Sequence, residues 1–146
     1  MSTLEYDGAA NTVTLIGSDG KVVGSWPAHN RVERAATIRF VPNGTYNLVD
    51  RSAPHRHAGS DAHGPLDSAN GAYGTYGIVR LNPFQGHAGI GVHSGRVSLR
   101  DGHGNIGPKH VTQGCIRTTD EAMSVITRTM HSDPLNSITV QHNSGR

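Results

Sequence analysis

The sequence contains a single cysteine, Cys115, in the stretch "TQGCIR" (residues 112–117). A thiol attacks an acyl group as thiolate, so a catalytic cysteine needs a base or a local positive field. It also needs donors for the developing oxyanion, and backbone N–H groups at a glycine turn supply them. Gly114 allows a tight turn directly before Cys115. Arg117 is suited to a substrate carboxylate through its planar fork of donors. A helix predicted to start near Thr118 would bring its positive end toward the thiol and lower its pKa. On these residues alone, a small apolar role for a lone cysteine stays open.

The candidate base lies upstream. In "GIGVHSG" (residues 89–95), His93 closes an apolar strand and is followed by Ser94 and Gly95. A histidine at a strand end, before a loop that returns to the cysteine, is well placed for proton transfer. The order His before Cys argues against a papain-like peptidase, in which the cysteine comes first.

Those elements need a scaffold, and the composition indicates a β-rich one. Nineteen glycines and seven prolines punctuate short segments with no collagen-like period. The strands expected are "TLEYD", "TVTLIG", "KVVGSWPA", "ATIRFV", "GTYNLVD", "IVRLNPF", "HAGIGVHSG" and "NSITVQH", the first three forming a meander. "TTDEAMSVITRTMH" is the one helix. Thr118 or Thr119 is its cap, Asp120 and Glu121 occupy the first turn, and Ala122, Val125, Ile126 and Met130 form its apolar stripe. Residues 51–77 and 95–110 read as long glycine-rich loops, of the kind that carry lids and binding sites. Residues 1–146 are expected to form one domain.

Charge excludes several partners. Thirteen Lys and Arg against eleven Asp and Glu give a net charge of +2, with no basic run, so nucleic acid is not expected. No apolar stretch is long enough for a membrane span, and the N-terminus shows no signal-peptide pattern. The expectation is synthesis in the cytoplasm without a leader. One cysteine excludes an internal disulfide.

The arrangement His93-Ser94, then residues 95–111, then Thr112-Gln113-Gly114-Cys115-Ile116-Arg117 resembles the L,D-transpeptidase (YkuD-like) catalytic domain. That family carries His, any residue, a spacer, then Ser/Thr-His-Gly-Cys, an apolar residue, and Asn or Arg. Here the spacer is at the long end, and Gln113 stands where most members have His. "FVPNGTYNLVD" and the segments flanking the cysteine are also similar. The resemblance implies a β-sandwich with one helix after the catalytic cysteine. It implies that Cys115 attacks the carbonyl of the third residue of a peptidoglycan stem tetrapeptide and releases terminal D-Ala. His93 is then the general base and acid, and the Ser94 carbonyl orients its ring. Oxyanion donors lie around Gly114 and Cys115, and Thr112, Gln113 and Arg117 contact substrate; apart from the resemblance, Tyr73 and Tyr76 in the glycine-rich loop are candidates to line the substrate groove. The acyl group passes to an amine, a D-amino acid or water. No cofactor and no metal are implied.

The missing leader further resembles compact antibacterial effectors delivered by type VI secretion. They act in the periplasm or cell wall of a target bacterium, with an immunity protein and a secretion component as partners. Two alternatives stand beside this. One is a non-enzymatic cell-wall glycopeptide-binding module. The other is a zinc hydrolase using His55, His57 and His63, with Asp61, in "HRHAGSDAH".

Overall fold

The computed structural model describes residues 1–145. Strands take 34% of the chain and helix 11%, a mainly β fold as expected. The strands are β1 (Ser2–Asp7), β2 (Thr12–Ile16), β3 (Val22–His29), β4 (Gly44–Asn47), β5 (Ser60–Asp61), β6 (Gly64–Pro65), β7 (Val79–Arg80), β8 (Gly91–His93), β9 (Ile116–Thr118) and β10 (Leu135–Gln141). The helix α1 is Asp120–Ser132, and a 3-10 turn spans Gly107–Lys109.

Eight strands form one sheet in the order β4-β10-β1-β2-β3-β9-β8-β7. The pairs β1–β10 and β8–β9 are parallel and the others antiparallel. Its two ends are joined. Leu48 bridges Leu81, Val49 N–H donates to Arg80 O at 2.8 Å, and Asn82 N–H donates to Asn47 O at 2.9 Å. The Arg80 guanidinium grips both Asp50 oxygens at 2.9 Å across the same seam. The sheet therefore curls around a single core and leaves few free edges.

Alternation along the strands builds that core. Leu4 and Tyr6 of β1, Val13 and Leu15 of β2, and Ile138 and Val140 of β10 are fully or almost fully buried on it. Helix α1 adds Met123, Ile126 and Met130, together with buried Ala122, while Val125 sits at its margin. Thr119, not Thr118, is the cap: its hydroxyl accepts from Ala122 N–H at 3.0 Å, and Thr118 belongs to β9.

The expected strand "ATIRFV" does not form; residues 36–41 are irregular. They act instead through single anchors. Ile38 and Val41 are buried, and Val41 N–H is taken by a side chain, Asn30 Oδ1, at 2.8 Å rather than by a strand partner. The long loop 51–77 carries one short hairpin, β5–β6, that the sequence does not signal.

Thr119→Ala is expected to lower stability by about 1 kcal/mol through loss of the cap. Met130→Ala is expected to cost about 2–5 kcal/mol through loss of buried methylenes and the void left. Denaturant titration of both variants checks the ranking.

Candidate active site

The parallel pairing of β8 and β9 creates the site. Val92 aligns with Ile116, and His93 aligns with Arg117. Side chains alternate, so Val92 and Ile116 face the core while His93 and Arg117 share the opposite face with Cys115, one residue before β9. Strand spacing and a two-residue offset put the Cα atoms of His93 and Cys115 about 8 Å apart. Both side chains line one cavity of about 390 Å3, together with Tyr73, Arg96, Gln113 and Arg117.

His93 is 2% exposed, and its Nδ1–H donates to the Ser94 carbonyl at 2.6 Å. This fixes the tautomer that leaves Nε2 free as a base. Burial, then the Arg117 charge, lowers its pKa to about 3, although the Ser94 carbonyl opposes the shift. Burial pushes the Cys115 thiol up, only partly offset by the Gly91 N–H and by Arg117. The thiol also points to Gly89 O at 3.8 Å. The expected lowering by the helix terminus is therefore corrected. All of β9 separates Cys115 from α1, and desolvation dominates. At neutral pH both shifts favour a neutral thiol beside a neutral imidazole.

The loop that carries Cys115 is held from below. Asn30, fully buried, donates through Nδ2 to Gly114 O at 2.9 Å and to Cys115 O at 3.0 Å. Its Oδ1 accepts from Val41 N–H and from Asn143 Nδ2, and its own N–H is capped by Tyr6 Oη. Thr112 Oγ1 donates to Cys115 O at 2.7 Å and accepts Gly114 N–H at 3.2 Å. Thr112 thus braces the loop, and the Gly114 N–H is engaged within it. Gly114 itself has φ 138°, and a Cβ there would come within 2.6 Å of Ile38 and 2.8 Å of Ile90. Only glycine fits.

Arg117 braces the walls. Its Nη1 donates to His110 O at 3.1 Å and Val111 O at 2.9 Å, and its Nη2 to Ala72 O at 2.9 Å. Burial, then Arg96, lowers its pKa to about 10, which still leaves it charged at neutral pH. Gln113 is exposed at the cavity rim. Tyr76 packs against the core and does not line the cavity; Tyr73 does. The Tyr73 ring stacks on His57 with centroids 3.7 Å apart and meets His93 edge-on at 5.3 Å.

The sequence reading missed Asn30 and Asp120 as site residues. Asp120 accepts the Ser94 hydroxyl on Oδ1 and Thr75 Oγ1 on Oδ2 at 3.1 Å. It therefore ties α1 to the residue whose carbonyl orients His93. The zinc alternative does not assemble. His57 Nδ1 is held by Asp67 at 3.2 Å and Asp61 pairs with Arg96 at 3.3 Å. Among the described residues no three of His, Cys, Asp or Glu converge as ligands. No helix among them is long and apolar enough to cross a membrane.

By sequence, no family profile and no curated protein matches the chain. Solved structures do match by shape. L,D-transpeptidase 1 of Mycobacterium tuberculosis superposes with TM-score 0.57 at 19% identity, over 95% of this chain and 60% of that one. The chain has the fold of the L,D-transpeptidases. An L,D-transpeptidase from Mycobacterium smegmatis (TM-score 0.54, 20% identity) is matched over 96% of this chain and 58% of that one. One from Stackebrandtia nassauensis (TM-score 0.55, 14% identity) is matched over 99% and 58%. The chain thus spans about 60% of the length of these L,D-transpeptidases.

Two outcomes follow from the site. Iodoacetamide should alkylate Cys115 more slowly than free cysteine at pH 7–8, with a rate still rising toward pH 9, since the thiol pKa is raised. His93 should make the fold acid-sensitive. Its folded pKa of about 3 lies below the unfolded value of 6.5, so the unfolded chain takes up the proton first. The His93 contribution is whole above pH 6.5 and is lost as pH falls toward 3. Thermal melts of wild type and His93→Gln should converge across that window.

Proposed function

We propose that the protein is a cysteine acyltransferase acting on peptidoglycan stem peptides, an L,D-transpeptidase with L,D-carboxypeptidase action when water is the acceptor. The observation that carries this is the pair Cys115 and His93 in one cavity, with the His93 tautomer fixed by the Ser94 carbonyl. Cys115 Sγ attacks the carbonyl carbon of the third stem residue as its proton passes to His93 Nε2. The C–N bond to the terminal residue then breaks, and His93 returns the proton to the leaving amine. A thioester on Cys115 remains for an amine or water. The buried setting favours transfer of a proton within the pair over a standing ion pair, since charge separation there is costly.

The Gln113 amide replaces an ionisable imidazole at the rim, so His93 carries proton transfer by itself. A role as a secreted antibacterial protein, checked by an immunity partner, is a further part of the proposal. It rests on the resemblance of the sequence to compact effectors. Its reading is growth arrest when the chain is directed to the periplasm of a Gram-negative host, dependent on Cys115.

Incubation with a carbapenem should add the mass of one drug molecule to wild type and none to Cys115→Ala. Muropeptides treated with wild type should lose terminal D-Ala or gain cross-links, and those treated with Cys115→Ala should match the untreated control. Identical products from both proteins would favour the glycopeptide-binding alternative.

A further inference from the structure

The long loop 51–77 buries a carboxylate: the Asp67 side chain is 5% exposed. A buried carboxylate is costly unless it is paired and hydrogen-bonded. His57 meets it twice. The His57 N–H donates to Asp67 Oδ2, and His57 Nδ1 lies 3.2 Å from Oδ1. An ionised carboxylate only accepts, so the His57 Nδ1 carries the proton. Arg56 completes the pairing, with its Nε 3.5 Å from Oδ2 and its Nη1 donating to the Thr75 carbonyl. His55 closes the base of the loop by exchanging backbone hydrogen bonds with Ile78 at 2.7 and 3.0 Å, and its ring meets the His57 ring edge-on at 5.0 Å. The direction of the His57 imidazole is therefore set from several sides.

That imidazole backs Tyr73. The two rings are 2° from parallel, with centroids 3.7 Å apart. Tyr73 is also held by its N–H, which donates to Leu66 O at 3.1 Å. Its ring then meets His93 at 70°, with centroids 5.3 Å apart. Tyr73 and His93 line the Cys115 cavity, and His57 and Asp67 do not. His93 has a use for such a contact. Its Nδ1–H is fixed on the Ser94 carbonyl. The last torsion of a histidine side chain is broad, so one hydrogen bond leaves the aim of Nε2 loosely set. A ring packed against its side narrows that torsion.

Resting on the function proposed above, we infer that His57 and Asp67 are positioning residues for the base His93, acting through the Tyr73 ring. Neither touches the reacting atoms. Asp67 holds the plane of the His57 imidazole, the imidazole holds the plane of Tyr73, and Tyr73 holds the aim of His93 Nε2. Proton transfer between Cys115 and His93 depends steeply on distance and angle, so the pair acts on the chemical step and not on substrate affinity. The glycine-rich loop thereby becomes part of the catalytic apparatus. His57, a zinc ligand in one reading of the sequence, has its imidazole directed to this task instead.

The test compares wild type with His57→Leu, His57→Phe and Asp67→Asn. Release of terminal D-Ala from a stem tetrapeptide gives kcat and KM, taken per mole of folded protein from the amplitude of thermal unfolding, so a poorly folding variant still reports. NMR of protein labelled with 15N-histidine reads the Nδ1–H of His93 without turnover. His57→Leu should lower kcat about tenfold, the effect of one lost aromatic pair, with KM within about twofold of wild type. His57→Phe keeps a flat ring against Tyr73 and should recover most of the loss, and Asp67→Asn should fall between. In a Tyr73→Leu background His57→Leu should cost nothing further. The His93 Nδ1–H signal should be sharp in wild type and His57→Phe and broadened in His57→Leu. An unchanged kcat in His57→Leu, a loss confined to KM, equal losses in His57→Leu and His57→Phe, full additivity with Tyr73→Leu, or an unchanged His93 signal in His57→Leu would overturn the positioning role. Absence of D-Ala release by wild type would overturn the underlying function, and the His93 signals would then still decide whether the pair holds the ring.

Discussion

The site depends on one buried amide. Asn30 spends its side-chain amide and its own N–H between segments distant in sequence: the carbonyls of Gly114 and Cys115, the N–H of Val41, the side chain of Asn143 and the hydroxyl of Tyr6. An apolar residue there would leave the Gly114 carbonyl and the Val41 N–H buried without their partner, at about 1–3 kcal/mol apiece. The turn before Cys115 has no regular structure of its own to hold it. Its carbonyls point inward because Asn30 and Thr112 receive them. That orientation, with the positive φ of Gly114, sets the direction of the Cys115 side chain.

A second constraint is electrostatic. The parallel ladder of β8 and β9 puts His93, Cys115 and Arg117 on one buried face, where none of them is well solvated. Two respond by staying neutral, and the third stays charged because three backbone carbonyls surround its guanidinium. Arg117 thereby lends the cavity a fixed positive field and joins loop 51–77 to the approach of the loop that carries Cys115 through Ala72 and Val111. On the other side Asp120 joins the same long loop, through Thr75, to Ser94. Loop and catalytic strands are thus fastened at both flanks of the cavity.

Much of this was legible in the sequence for identifiable reasons. Alternating apolar residues in "TVTLI" and "LNSITV" mark strands because one face is buried, and the capped "TTDEAM" marks the helix. The pair His93 and Cys115 was singled out by the family resemblance rather than by either stretch alone, and both line one cavity. Asn30 and Asp120 were not legible. An asparagine after a strand and an acid in a first helical turn have ordinary local explanations, and their partners lie 84 and 26 residues away. "ATIRFV" misled because β-branched and aromatic residues signal burial as readily as pairing; Ile38 and Val41 are buried without a ladder. The helix effect on the thiol was misjudged because sequence proximity hides the strand between them. Desolvation is a tertiary quantity that no short stretch reveals.

The central claim is a covalent acyl-enzyme on Cys115. Rapid quenching in acid of the protein mixed with a stem tetrapeptide, followed by intact mass and peptide mapping, tests it directly. The expected result is a transient species heavier by the tripeptide acyl group, with the mass mapped to Cys115. Product accumulating at every time point with no adduct, or an adduct on another residue, would contradict it.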